Sequence, residues 1–292
     1  MLIQWYPGHM AKARRMLVEN LKLIDVVVEI VDARAPFATR NPDFDDLFTG
    51  KERVVVLNKS DLASPEVTKR WVEHYKKEGI KAVEFVATSP QKRGAAIALI
   101  ENAAAEKVKK MREKGVNKTV RAMIVGIPNV GKSTFINRIA GINRAQTGDK
   151  PGVTKGKQWV KITPYLELMD TPGLLWPKLE NETLARHLAY IGSINDEVTD
   201  VETLALHLLS DLRRLCPQAL MERYKKIESQ TDDAELLTAV AKSRGFVVRG
   251  GEYDNARAAR IVLDEYRGCK IARVTLEEPN FFDGAQNDGE AQ

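Results

Sequence analysis

The sequence predicts an α/β fold: a doubly wound, mostly parallel sheet within residues 1–177, followed by an all-helical part over 178–278. Three observations predict it. Up to residue 176, short β-branched runs alternate with helix-like stretches, the pattern of strands joined by helical crossovers. The runs, such as Val26–Val31, are almost continuously apolar, as strands covered on both faces are. After Pro177 such runs give out, and apolar residues recur at helical spacing from about Glu182 to Leu208.

The elements follow in order. Residues 11–23 read as a helix, with Met16, Leu17, Asn20 and Leu21 at helical spacing and no Gly or Pro. Val26–Val31 and Arg53–Leu57 are strands, separated by a loop rich in Pro, Asn and Asp. Glu66–Glu78 is a helix, capped by Ser64, opened by Pro65 and closed by Gly79. Val83–Val86 is a third strand, and Ala95–Lys114 one long charged helix ended by Gly115. A second series begins with strand Arg121–Val125, a glycine loop and helix Ser133–Ala140. Strands Lys157–Ile162 and Tyr165–Met169 meet at a tight turn, Thr163-Pro164. Asp254 caps a helix over about Asn255–Arg267, ended by Gly268, and 279–292 reads as a disordered tail.

Composition narrows the function. The chain has 292 residues, 43% hydrophobic and 29% charged, an ordinary composition for a folded core. Its longest apolar runs are too short to span a bilayer, and no secretory signal core is expected at its N-terminus. Cys216 and Cys269 are far apart and lack nearby Cys or His, so neither a disulfide framework nor a zinc site is expected, and a cytoplasmic location fits. The net charge of +5 is uneven. Basic residues crowd Lys12–Lys22, Lys107–Lys118 and Arg257–Arg273, the footprint of an RNA-binding surface or of solvated charged faces. Arg257 and Arg260 share one helix face and carry the same two readings.

Gly126-Ile127-Pro128-Asn129-Val130-Gly131-Lys132-Ser133, followed by Thr134, matches a phosphate-binding loop between a strand and a helix. Its glycines let backbone N–H groups face a phosphate chain, and the helix N-terminus adds positive potential. Lys132 supplies a cation for the β- and γ-phosphates and Ser133 a hydroxyl for Mg²⁺. Asp170-Thr171-Pro172-Gly173 follows a strand. Asp170 can serve the Mg²⁺ shell, and Gly173 can present its N–H to the γ-phosphate. Thr154, in the intervening loop, is either a second hydroxyl ligand or an ordinary loop residue.

Asn58-Lys59-Ser60-Asp61 chooses the base. Guanine shows two donors on one edge, and the Asp61 carboxylate accepts both; adenine would leave that charge poorly paired. Lys59 can lay its stem on the base. Ala87-Thr88-Ser89 is an imperfect match to a loop that donates a backbone N–H to the guanine oxygen. These motifs read as binding GTP and GDP, with hydrolysis of GTP.

They resemble the motifs of Ras-like GTPases in circularly permuted order, with the base tetrad ahead of the phosphate loop. With Gln4-Trp5-Tyr6-Pro7-Gly8-His9-Met10 and Asp32-Ala33-Arg34-Ala35-Pro36, the pattern resembles the ribosome biogenesis GTPase A family over nearly the whole chain. That resemblance implies a late assembly factor of the large (50S) subunit, binding 23S-type rRNA on a precursor particle that stimulates hydrolysis. No membrane or DNA partner is expected, and the lack of lipidation motifs counts against a membrane or signalling GTPase. Where Ras-like sites have a water-orienting Gln, this chain has Leu174, and the resemblance points to His9 as substitute; its other reading is an RNA contact. Asn129 is the residue type that potassium-stimulated relatives use to hold K⁺, or else a local loop hydrogen bond. The permuted order also puts the switch segments immediately before the helical part, so loop movement would pass into residues 180–276.

Overall fold

The computed structural model describes residues 7–141, 158–175, 181–194 and 200–280, with backbone alone at 7–10 and 158. The first half begins with α1 (Pro7–Leu21), which buries Ala13 and Leu17 one helical turn apart. Strand β1 (Val26–Asp32) follows, then the short α2 (Asp43–Leu47), β2 (Glu52–Asn58), α3 (Pro65–Lys77) and β3 (Lys81–Glu84). Helices α4 (Arg93–Ala103) and α5 (Ala105–Glu113) lead to β4 (Val120–Val125) and α6 (Lys132–Ala140). An antiparallel pair, β5 (Gln158–Thr163) and β6 (Leu166–Asp170), completes a six-stranded sheet of order β3-β2-β1-β4-β6-β5. The other pairings are parallel.

The chain therefore starts in the middle of the sheet, at β1, and runs outward to the β3 edge. Helices α4 and α5 carry it back to β4, beside β1, and it then runs to the opposite edge. This is the permuted, doubly wound sheet that the sequence predicts. The reversal between β1 and β4 leaves a crevice at the carboxyl ends of the strands, where such sheets bind ligands.

Strand burial explains the continuous apolar runs. Val26, Val28 and Ile30 pack with Ile97, Ile100 and Phe135 on one face. Val27 joins Leu17, Phe44 and Leu174 on the other, and Val31 joins Trp71 and Tyr75.

Among the described residues, five α-helices make up the C-terminal part: α7 (Glu182–Tyr190), α8 (Val201–Leu215), α9 (Pro217–Arg223), α10 (Leu236–Arg244) and α11 (Asn255–Arg267). Caps fix three of their starts: Asn181, Asp200 and Asp254 each accept from backbone N–H groups of the first turn. Helix α8 buries Leu204, Leu208 and Leu212 beside α11, which buries Ala258, Val262 and Tyr266.

The chain then returns to the sheet unit. Leu276 N donates to Arg34 O, and Trp71 Nε1 donates to Glu277 O, both at 2.9 Å or less. The Glu277 carboxylate accepts from the N–H of Phe37 and of Ala38 and lies 2.7 Å from His187 Nδ1. Residues 273–278, expected with the helical part, thus form a strap across both units.

Several boundaries differ from the sequence reading. Helix α1 spans Pro7–Leu21 rather than 11–23. The single helix expected over Ala95–Lys114 is two. Ala104 turns out of helical geometry (φ −96°, ψ 8°), α4 packs on the sheet, and α5 has no buried residue. The run Ala103-Ala104-Ala105 carries no punctuation, so packing alone makes that break. Strand β3 ends at Glu84 rather than Val86, because Phe85 O accepts from Ser60 of the tetrad loop. The turn before β6 is Pro164-Tyr165, since Thr163 still pairs with Leu166. Helical spacing from Glu182 to Leu208 resolves into α7 and α8. The expected start of β5 at Lys157, the opening Gln4–Tyr6, Trp176-Pro177 and the tail after 280 lie outside the described residues.

Candidate nucleotide site

Four loops gather at the carboxyl edge of the sheet, after β2, β3, β4 and β6. The loop after β4 is shaped by its glycines. Gly126 has φ +148°, and a Cβ there would sit 2.5 Å from Ile30 O. Gly131 has φ +96°, and a Cβ would sit 2.4 Å from Asn58 Nδ2. Neither position admits a side chain. Asn129 adopts the left-handed region at φ 63°, which Asn tolerates better than most residues.

Lys132 opens α6 and is buried, its ammonium donating to Ile127 O at 2.8 Å. Burial lowers its pKa to about 8, although the Asp170 carboxylate pulls the other way. Ser133 Oγ donates to Asp170 Oδ2 at 2.9 Å. Asp170 closes β6, and burial raises its pKa against the opposing effects of Ser133, Lys132 and the Thr171 N–H. A hydroxyl and a carboxylate at this distance are hard oxygen donors, a set that fits Mg²⁺. Gly173 lies against the phosphate loop: a Cβ there would meet Pro128 N at 2.8 Å. Leu174 N donates to Gly126 O, and its side chain is buried with Ala13 and Leu17 of α1.

Asn58 joins the loops. Its Nδ2 donates to Val130 O at 2.8 Å and its Oδ1 accepts from Ala87 N at 3.0 Å. The tetrad, the phosphate loop and the Ala87–Ser89 loop are therefore held by one amide. Lys59 (φ 58°) donates to Asn129 O at 2.8 Å. Asp61, which ends the tetrad, is exposed. Arg138 of α6 fixes the third loop by donating to Ala87 O and Thr88 O, while Ser89 Oγ accepts from Gln91 N. Thr134 is half-buried in the first turn of α6.

Two expected residues are placed less fully. Thr154 lies outside the described residues. The backbone of His9 lies in the first turn of α1, and its side chain lies outside the described part. The same helix packs Ala13 and Leu17 with Leu174, the residue after Gly173.

The structure adds residues that the motifs did not mark. Asp32, at the end of β1, is fully buried. It accepts from Arg34 Nε and Nη2 and pairs with Lys59 Nζ at 2.9 Å. Burial alone would raise its pKa; the charges of Arg34 and Lys59 overcome that and hold it well below the usual carboxylate range. Thr171 Oγ1 donates to Ile124 O, tying β6 to β4. Asn129 Nδ2 donates to Gly192 O at 2.9 Å, not within its own loop. The run Asp32–Pro36 was visible, but only as a family resemblance; its i, i+2 Asp–Arg spacing signals no particular chemistry.

Residues 121–242 match a family model described as 50S ribosome-binding GTPase. Ribosome biogenesis GTPase A of Bacillus cereus is 45% identical to this chain, over 97% of it and 96% of that protein. The chain belongs to the ribosome biogenesis GTPase A family. Its member from Thermotoga maritima is 32% identical, over 98% of each. The crystal structure of GNP-bound YlqF from T. maritima superposes with a TM-score of 0.66 at 30% identity, covering 92% of this chain and 99% of that one. The GDP-bound structure of TM YlqF gives 0.67 at 29% identity, covering 91% and 100%. The chain is thus a GTPase, with the permuted fold of that family.

Proposed function

We propose that this GTPase binds 23S-type rRNA on a precursor of the large (50S) subunit and acts there as a GTP-dependent switch in late assembly, its hydrolysis stimulated by the particle. The observation that carries the nucleotide part is the Asn58 amide, which holds the base tetrad and the phosphate loop in one site. In this reading Asp61 accepts both donors of the guanine edge, and the Thr88–Ser89 backbone faces its oxygen. Backbone N–H groups over Asn129–Thr134 cradle the phosphates, and Lys132 neutralises the β- and γ-phosphates. Ser133, Asp170 and Thr154 would hold Mg²⁺, which neutralises charge on the phosphate oxygens when bound. Gly173 senses the γ-phosphate. His9 positions the attacking water, a role supported by the packing of its helix with Leu174, beside Gly173, and by the apolar side chain of Leu174, which cannot do it. K⁺ beside Asn129 would act through the amide oxygen, since the amide nitrogen bonds Gly192.

The 50S assignment is supported by the family model's description and by the relatives' naming as ribosome biogenesis GTPases, and the rRNA assignment by the exposed basic residues of α1 and α11. We assign 1–177 to the GTPase domain, 178–278 to the helical RNA-binding domain and 279–292 to a tail. The location is cytoplasmic; among the described residues no helix is long and apolar enough to cross a membrane.

Co-sedimentation with 50S precursors in GTP-analogue, GDP and nucleotide-free states tests the partner. Binding only with the analogue is the expected result; equal binding in all three would remove the switch. Asp61→Asn tests the base. It should weaken GTP at least tenfold, and an unchanged affinity would exclude the guanine assignment.

A further inference from the structure

Asn129 has a left-handed backbone and is exposed, yet its amide nitrogen and its main-chain carbonyl are both held from outside the loop. Its side-chain Nδ2 donates to Gly192 O, just beyond the end of α7. Gly192 (φ 75°) and Ser193 close that helix by donating to Ala189 O and Leu188 O, the Schellman arrangement. Arg267, the last residue of α11, fastens the same turn, its Nε donating to Tyr190 O at 2.9 Å and its Nη2 to Ala189 O at 2.7 Å. Arg267 thus fastens the turn that presents Gly192 O.

A second route leaves Arg267 and returns to the same loop. The Arg267 carbonyl accepts from Arg34 Nη1 at 3.3 Å. Arg34 grips Asp32 with two hydrogen bonds, Asp32 pairs with Lys59, and Lys59 donates to Asn129 O. The two routes close a ring from the phosphate loop through the helical part and back through the base tetrad. Asp32 and Arg34 are almost fully buried, so losing the Arg267 carbonyl would leave Arg34 Nη1 without that acceptor in a low-dielectric interior.

We infer that Arg267 is a positioning residue for the nucleotide: its side chain acts through Gly192 and Asn129 on the one side, and its main-chain carbonyl through Arg34, Asp32 and Lys59 on the other. The inference rests on the reading that residues 126–133 hold the phosphates. It means that the nucleotide site is complete only while the helical part is docked, and that movement of that part weakens nucleotide binding.

A double-mutant cycle on the full chain tests this, with GDP and a GTP analogue as probes. The variants are Arg267→Ala, Asn129→Gly, which keeps the left-handed backbone, and both together. Each single change should weaken both nucleotides about 2- to 10-fold, the range of one net hydrogen bond. The double variant should be no weaker than the weaker single. Thermal unfolding without nucleotide reports the fold, and Arg267→Gln replaces Arg267→Ala if the latter does not fold. An Arg267 variant that melts earlier but keeps the wild-type affinity would show a purely structural role and overturn the inference. So would losses that multiply in the double variant, or an Asn129→Gly affinity equal to wild type. Failure of the wild-type chain to bind GDP at all would instead sink the nucleotide reading, and this inference with it.

Discussion

Two buried carboxylates, one in each half of the molecule, have nearly the same surroundings. Asp32 is gripped by Arg34 and Lys59. Glu265 of α11 is gripped by Arg223 and Arg244 and accepts from Tyr224 Oη at 2.7 Å. Burial would raise both pKa values, and in both cases the cationic and hydrogen-bonding partners win and lower them. They differ in where the partners lead. Those of Glu265 all lie within 223–244 of the helical part, so the cluster fastens α9, α10 and α11 together and goes no further. Those of Asp32 lead to the base tetrad, the phosphate loop and, through Arg34, the end of α11. One cluster supports a unit; the other joins two units at a ligand site. Chemistry alone does not separate them. Connectivity does.

The comparison is sharpest where activity is measured. Lys132→Ala should lower GTP turnover about 100- to 1,000-fold, the usual loss when a preorganised charge on the phosphates is removed. Glu265→Gln should leave turnover per folded molecule within about twofold and lower the unfolding free energy by about 2 kcal/mol, below the figure for a fully buried pair because Arg223 and Arg244 are partly exposed. Steady-state kinetics and urea unfolding on both variants check the contrast, and a turnover loss in Glu265→Gln would dissolve it.

Asp32→Asn should do both kinds of damage. We expect about 3 kcal/mol of lost stability, since Arg34 and Lys59 lose their counter-charge, and about tenfold weaker GDP binding. A loss of stability with unchanged GDP affinity would put Asp32 in the same class as Glu265.

Acid should weaken both regions in the same direction. Asp32 and Glu265 have lowered folded pKa values, so their stabilisation is present above the usual carboxylate range and fades as pH falls through it and below. Base should separate them. Lys132, at about 8 without nucleotide, loses its proton above that pH, and phosphate binding restores it. GDP affinity should therefore fall by up to about tenfold per pH unit above 8, with proton uptake on binding. Calorimetry in buffers of different ionisation enthalpy measures that uptake, and zero uptake at pH 8.5 would contradict the burial of Lys132. The smallest expected effect belongs to Arg257→Glu with Arg260→Glu. It should lower the salt slope of RNA binding by about 2 and leave GDP affinity unchanged. An unchanged slope would return both residues to a solvated face.

The permuted sheet was legible before any coordinates. A loop that must curl around phosphate needs Gly126 and Gly131, and a strand buried on both faces needs Val26–Val28, so the chemistry writes itself into residue type and order. The positions of Asn58, Lys132, Ser133 and Asp170 followed for the same reason: each motif ends a parallel strand, and parallel strands put their carboxyl ends together. Breaks such as Ala104 were not legible, because nothing in three consecutive alanines says which of two helices must lean on the sheet.

The sequence by itself therefore determined the fold class, the order of the motifs and the kind of ligand, all of which depend on local spacing and on residue types with one physical use. The tertiary structure decided that Asn129 reaches Gly192, that Arg267 and Arg34 meet, and that residues 273–278 strap the two units together. Those contacts join positions 63 to 240 residues apart through common side chains and backbone carbonyls. Every residue offers a carbonyl, so no spacing marks the one that will be used; only the packed chain brings donor and acceptor within reach.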